Sequence, residues 1–281
     1  MTLYRQELHG IRSDISMSNT DPFAFNSINV GAVISYVGIG FSGFAFQDGQ
    51  RTIAGELRRA MEVCLGESPS LVVAGRTDRG VHARGQVISF RVSGARDFFP
   101  TRFVKSMNSL LGPSISVRSA WIAAEDFSAR FSARYRTYRY SYRYGSTPDP
   151  FADPFSWRII DRLDLDLVRG ASECLLGEHD FSSFCRKDPN GASLNRRVEW
   201  IRLDEKAEGV DLWISASSFC HQMVRSIAGL LYQVGTHKIS PSYVREALEG
   251  RDRKWVKLLA PPSGLVLWEV GYDPGVIPEW S

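Results

Sequence analysis

The chain has 281 residues, 43% hydrophobic and 23% charged, with 34 Lys and Arg against 31 Asp and Glu for a net charge of +3. That make-up describes a globular protein with a core of its own, in one large domain or two ordinary ones. It excludes a polycation, so any nucleic-acid surface has to come from local clustering of basic residues.

Residues 1–30 are mixed and polar, with Asp21-Pro22 and Asn26-Ser27 as turn signals, and read as an N-terminal extension. No apolar h-region of a secretory signal is expected there, and no run approaches membrane-spanning length. Ala32 to Val37 is a short apolar strand, followed by a loop punctuated by Gly38, Gly40 and Gly43. Thr52 caps a helix whose apolar positions are Ile53, Leu57, Ala60, Met61, Cys64 and Leu65. A strand at 71–74, a glycine-bounded loop and an alternating strand at 86–92 come next. Phe103, Val104, Met107, Leu110 and Leu111 mark a second helix ended by Gly112-Pro113, and Ile115 to Trp121 is another strand. In the second half, Leu163 to Leu176 is helical and Gly177 stops it; Glu178 to Arg186 and a segment with Pro189-Asn190-Gly191 are loops. Strands near 196–203 and 210–216 precede a helix over about 221–234, with Gly235 at its C-terminal cap. Ser240-Pro241 opens a further helix as cap and N1 proline, and a last strand lies near 265–270. Both halves have strand–helix–strand order, so the expected class is α+β. We expect two α/β domains, 31–132 and 133–281, with largely antiparallel mixed sheets and helices on one face.

The four cysteines, Cys64, Cys174, Cys185 and Cys220, are widely spaced and form no C-x-x-C pair. Neither a disulfide framework nor a zinc site is expected, and a reducing cytoplasm fits best. Cys220 and His221 are adjacent, but no further ligands stand at metal spacing, so no metal is expected.

Gly75-Arg76-Thr77-Asp78-Arg79-Gly80-Val81-His82-Ala83 is the most informative stretch. It places one carboxylate at an exposed loop between two arginines. An acid so placed stays ionised, which suits a nucleophile or base; the plainer reading is a turn aspartate bonding its own backbone. Gly75 and Gly80 have the spacing of a phosphate-binding loop. Val81 and His82 stand where Lys and Ser/Thr would be needed, and no helix follows, so that reading is dropped.

Phe127 to Tyr144 holds seven aromatics and five arginines without one acid. As a strand it puts Arg134, Arg136, Tyr138, Tyr140, Tyr142 and Tyr144 on one face and Tyr135, Thr137, Arg139, Ser141 and Arg143 on the other. Arginines meet phosphates and tyrosines stack on bases; alternatively, half of the tyrosines are core residues of a sheet. Arg225 falls in the first turn of the 221–234 helix, a poor place for a cation, so a carboxylate or phosphate partner is one reading and a solvated surface arginine the other. Gly177 to Phe184 includes His179-Asp180 and two serines, which suggest acid–base or nucleophilic chemistry. The simpler account is a packed loop with Phe181 and Phe184 in the core.

Together these stretches resemble the TruA family of tRNA pseudouridine synthases, in order, over about residues 32–272. The resemblance rests on the Gly75–Ala83 loop, Phe131-Ser132-Ala133 with Tyr138-Arg139-Tyr140, and Leu176-Gly177 with His179–Phe184. The Phe219–Gly235 helix and Ala260-Pro261 with Gly264-Leu265 complete it. It implies cofactor-free isomerisation of uridine to pseudouridine in the anticodon stem-loop of tRNA, at positions 38, 39 and 40. It also implies a cytoplasmic homodimer whose two domains flank a basic cleft. Asp78 matches the catalytic aspartate, Tyr138 the tyrosine that stacks on the target base, and Arg225 the arginine paired with the aspartate. Arg76 matches the arginine that holds the flipped nucleotide, and Arg79, His82, Arg130, Arg134, Arg136 and Tyr140 are the further expected substrate contacts. Two features depart from the family pattern: Arg79, where a small residue is usual, and the 30 residues that precede the match. The rival readings are a non-catalytic RNA-binding module and a glycosidase-like hydrolase, the latter lacking a second carboxylate in the Asp78 loop.

Overall fold

A computed structural model describes residues 27–93, 98–186, 191 and 193–278. Most of the N-terminal extension, together with Pro189 and Asn190, lies outside the described residues. The first half comprises β1 (Ile28–Tyr36), α1 (Ile53–Leu65), β2 (Val72–Val73), β3 (His82–Val92), α2 (Pro100–Leu111) and β4 (Ile115–Ile122). The second comprises β5 (Tyr135–Tyr144), β6 (Trp157–Ile159), α3 (Leu165–Ser172), β7 (Gly177–Asp180), β8 (Asn195–Lys206), β9 (Gly209–Ala216), α4 (Met223–Gly235), α5 (Ser242–Gly250) and β10 (Leu265–Gly271).

Among the described residues the strands form one mixed sheet in the order β4-β1-β3-β10-β5-β9-β8-β7, with β2 beside β3 and β6 beside β5. Most neighbours are antiparallel. The halves meet where β10 lies antiparallel to β5 on one side and parallel to β3 on the other, the latter through only Val266–His82 and Leu267–Ala83. The Asp78 loop immediately precedes β3, so this narrow seam carries it. Among the described residues no helix is long and apolar enough to cross a membrane.

Local chemistry explains the elements that bear on the site. Thr52 Oγ1 accepts from Gly55 N at 3.1 Å and fixes the start of α1, as its cap spacing predicts. β5 alternates in burial from Tyr138 to Arg143, while Thr137 is buried as well and Tyr144 only partly covered. Arg136, Tyr138, Tyr140 and Tyr142 are buried, whereas Arg139, Ser141 and Arg143 are only partly covered. A buried tyrosine needs a partner for its hydroxyl: Tyr142 donates to the Ala228 carbonyl of α4 at 2.8 Å and Tyr140 to the Pro261 carbonyl at 3.0 Å. These bonds hold α4 and the segment before β10 against the strand. Arg139 stacks its guanidinium over Trp268, 4.5 Å from the ring centre, and faces the other way.

The structure corrects several expectations. α3 ends at Ser172 and continues as one 3₁₀ turn, and Gly177–Asp180, expected as loop, pairs with Asn195–Val198 of β8. A four-residue polar strand has no periodicity to read; its partner alone makes it a strand. β6, three residues long, was not anticipated for the same reason. Pro241 is the cap residue of α5 rather than its first helical position. The expectation of no disulfide is overturned: Cys185 and Cys220 are joined, with Cα atoms 5.8 Å apart across 35 residues of sequence. No motif spacing announces this pair, because the fold rather than the local chain brings the loop after β7 to the entrance of α4. Phe181 and Phe184 are fully buried, and His179 and Asp180 bond local groups, Leu176 O and the Ser182 backbone N–H.

Candidate active site

The loop from Gly75 to Val81 is held from beneath by first-half residues. Gln86 Nε2 donates to Gly75 O at 2.6 Å, Phe44 N donates to Thr77 O at 3.1 Å, and the Tyr36 hydroxyl bonds Thr77 Oγ1 at 2.7 Å. Burial pushes the Tyr36 hydroxyl up to about 12, so it stays protonated. Gly38 lies so close that a Cβ there would sit 2.1 Å from Val81 O, and Gly80 turns the chain at φ +78°. Val81 N closes the turn onto Asp78 O at 3.1 Å. Asp78 thus sits at the tip of a loop whose backbone is fixed on both flanks.

The second half supplies what faces the Asp78 side chain. Arg225, in the first turn of α4, places Nη1 3.2 Å from Asp78 Oδ2, while its Nε donates to Ala260 O at 2.8 Å. His221, just before α4, places Nε2 3.1 Å from Asp78 Oδ1. Burial alone pushes the Asp78 carboxyl up. Hydrogen bonding and charge from His221 and Arg225 outweigh it and hold the group below its ordinary 3.8. Tyr138 of β5 is buried, its ring edge-on to Phe219 at 5.0 Å. Burial, then Tyr36, then the Asp78 charge hold its hydroxyl well above the usual phenol range. Beside these groups opens a cleft of about 510 Å³, lined by Ile39, Gly40, Phe41, Ser42, Arg79, Gly80, Arg225, Pro262 and Ser263.

The other expected site residues fall into two groups. Arg76, Arg79 and Arg130 are exposed, and Arg79 faces the cleft. Arg134 is exposed too, but holds Asp273 with 2.9 and 2.6 Å bonds. His82, Arg136 and Tyr140 are interior. His82 Nδ1 accepts from Gly38 N at 3.2 Å, and its ring packs on Phe155 with centres 5.0 Å apart. Arg136 donates to the carbonyls of Ala74 (2.9 Å), Arg130 (2.8 Å) and Ser217 (2.8 Å), drawing three segments together beneath the loop. His221 escaped the sequence reading, which weighed it only as a metal ligand. No helical spacing marks it, because His221 stands outside α4 and Gln222 between it and the helix is left-handed.

A family model described as tRNA pseudouridine synthase matches residues 171–273. Over 242 residues the chain is 39% identical to tRNA pseudouridine synthase A of Bacillus subtilis (strain 168), covering 85% of this chain and 97% of the relative. It is 37% identical over 245 residues to tRNA pseudouridine synthase A of Listeria innocua, covering 86% and 98%. The chain belongs to the tRNA pseudouridine synthase A family. The relative in Caldicellulosiruptor bescii is 36% identical over 245 residues and is covered to 99%. The family resemblance read from the motifs is therefore the family shown by overall similarity. The residues matched by the family model include Arg225 and His221, whereas Asp78 and Tyr138 precede them. Among solved structures, a chain of the archaeal box H/ACA sRNP Nop10-Cbf5 complex aligns with a TM-score of 0.32 and 10% identity, over 83% of this chain and 59% of its own length.

Proposed function

We propose that this chain isomerises uridine to pseudouridine in the anticodon stem-loop of tRNA, at positions 38, 39 and 40, with Asp78 as nucleophile. The observation that carries the reading is the pairing of Asp78 with Arg225 at 3.2 Å across 147 residues of sequence, at the edge of a cleft large enough to admit a nucleoside. The reaction breaks the C1′–N1 bond and forms C1′–C5, with the C5 proton leaving and N1 gaining one. It balances without an oxidant or a leaving group. A base in a stem is reached by taking it out of the stack. In this reading Arg79 and Arg76 meet the flipped nucleotide, Arg130 meets the RNA backbone, and Arg134 does so on releasing Asp273. His82, Arg136 and Tyr140 support the site from within.

The raised pKa of Tyr138 comes chiefly from burial, so its ring stacks as a neutral phenol. While Asp78 is ionised, its charge helps to keep the phenol protonated. Loss of that charge on covalent bond formation removes only a lesser contribution, and burial still favours the protonated phenol. In this reading Tyr138 stacks on the target base as a neutral ring and assists removal of the C5 proton. The reading extends to a homodimer in the cytoplasm, with the two α/β domains meeting near residue 132 and flanking a basic cleft.

The test is incubation of unmodified tRNA with the protein and with Asp78→Asn, followed by carbodiimide labelling and primer extension. Stops at positions 38 to 40 with the wild type alone are expected. Binding without stops would leave an RNA-binding module, and release of free uracil would indicate a hydrolase.

A further inference from the structure

We propose that His221 is a second positioning residue for Asp78, fixing the rotation of the carboxylate that Arg225 alone leaves free; this rests on the reading of Asp78 as nucleophile. The two oxygens have different partners. Arg225 holds Oδ2 and is itself clamped by Ala260, with its side chain only 12% exposed. His221 holds Oδ1 and is 47% exposed. A carboxylate gripped through one oxygen can still turn about its Cβ–Cγ bond. Gripped through both, it presents a defined edge, and orientation of that kind is a large part of catalytic rate.

The backbone at His221 is shaped for this contact. The next residue, Gln222, adopts the left-handed region at φ +69°, unusual for a non-glycine residue. The turn is closed by Met223 N donating to Cys220 O at 3.1 Å, and Ser226 N then takes Gln222 O at 2.9 Å to begin α4. His221 O accepts from Arg186 N at 3.0 Å, and the preceding residue, Cys220, is joined to Cys185. A segment 35 residues away thus pins the backbone on which His221 stands. Residues clamped into a sparsely populated conformation cluster at functional sites, and the inference runs from the outlier to the role. The titratable or charged groups that face Asp78 are His221, Arg225 of α4 and Tyr138 of β5. His221 is the one among them that is both a donor and open to solvent.

His221→Ala and His221→Gln, each checked for unchanged melting, test the proposal. The glutamine amide nitrogen reaches about as far as Nε2 and can donate to the same oxygen. Loss of one charge-assisted bond predicts a kcat about 10- to 100-fold lower in His221→Ala with KM for tRNA within about twofold, and recovery of most of that loss in His221→Gln. A kcat within twofold of wild type in His221→Ala, or a loss confined to KM, would overturn it, as would a glutamine variant no better than alanine. The carboxyl titration of Asp78, followed by carbon NMR against Asp78→Asn, should move to higher pH in His221→Ala. That readout is independent of turnover. If the wild type makes no pseudouridine, the functional reading fails, while an unmoved Asp78 titration defeats the positioning role by itself.

Discussion

Replacing Arg225 separates an aimed nucleophile from an acid that merely lies near a cation. The guanidinium makes two bonds in different directions, 3.2 Å to Asp78 Oδ2 and 2.8 Å to Ala260 O. Two unit charges at about 4 Å interact by ~4 kcal/mol at an effective dielectric of ~20. Truncating one partner of a buried pair costs ~3–5 kcal/mol. With side chains 12% and 22% exposed, this pair lies toward the buried end, and His221 still holds the other oxygen. A loss of ~3 kcal/mol in transition-state stabilisation is therefore expected for Arg225→Ala, about 150-fold in kcat. Arg225→Lys, with one nitrogen for two acceptors, should fall between. The assay is single-turnover pseudouridine formation at saturating tRNA, read by carbodiimide labelling. In an Asp78→Asn background Arg225→Ala should add no further loss, because the two act as a unit. A folded Arg225→Ala protein turning over within fivefold of wild type would refute the reasoning. So would full additivity in the double variant.

Tyr138→Phe keeps the ring against Phe219 and loses only the hydroxyl. Binding of tRNA should be unchanged and kcat should fall about 100-fold, within the usual reach of a general acid–base group; equal falls in binding and turnover would contradict the assignment. Because the folded pKa of Asp78 is depressed below 3.8, the stability it contributes is fully present above that value and is lost as pH falls through the folded one. The difference in urea stability between wild type and Asp78→Asn should therefore hold steady from pH 7 to about 4 and change below it; a change centred near pH 6 would show that another group governs it. The Cys185–Cys220 link closes 35 residues, for which chain entropy predicts up to ~4 kcal/mol. Reductant should lower the urea midpoint of wild type and leave Cys185→Ser unaffected, and identical midpoints with and without reductant would remove the link from the stability of this fold.

Elements whose signals are local were legible in the sequence. Thr52 announces α1 through its own side chain, Gly112 ends α2, and the apolar stripe from Met223 to Val234 predicts α4 within two residues. Elements defined by a partner were not. β7 is four polar residues made into a strand by β8, and the Cys185–Cys220 pair has no spacing signature at all. The tyrosine–arginine alternation of β5 was visible, but periodicity names two faces without saying which one is buried. The site was legible to a similar depth. Asp78 stood out as an acid between arginines, and Arg225 as a cation at the wrong end of a helix. Their pairing followed only from the family resemblance, since no local rule joins residues 147 apart. His221, readable in the sequence only as a metal ligand beside Cys220, has its partner on the far side of the seam.

That seam accounts for the place of the proposed chemistry. The bonds to Gly75 and Thr77 of the Asp78 loop come from the first half: Tyr36, Phe44 and Gln86. The side chains on its carboxylate come from the second half, through α4 and the turn before it. The direct strand pairing that links β3 to the second half is two residues of β10. Arg136 adds a second tie there, reaching from β5 to the Ala74 carbonyl just ahead of the loop. A charge placed by one half and neutralised by the other is correctly aimed only when both halves are in register. If Asp78 is the nucleophile as proposed, Asp78, Arg225 and His221 report on the joining of the sheet as well as on the reaction, and substitutions at Arg136 or along Val266–Leu267 are expected to disturb catalysis without touching a substrate.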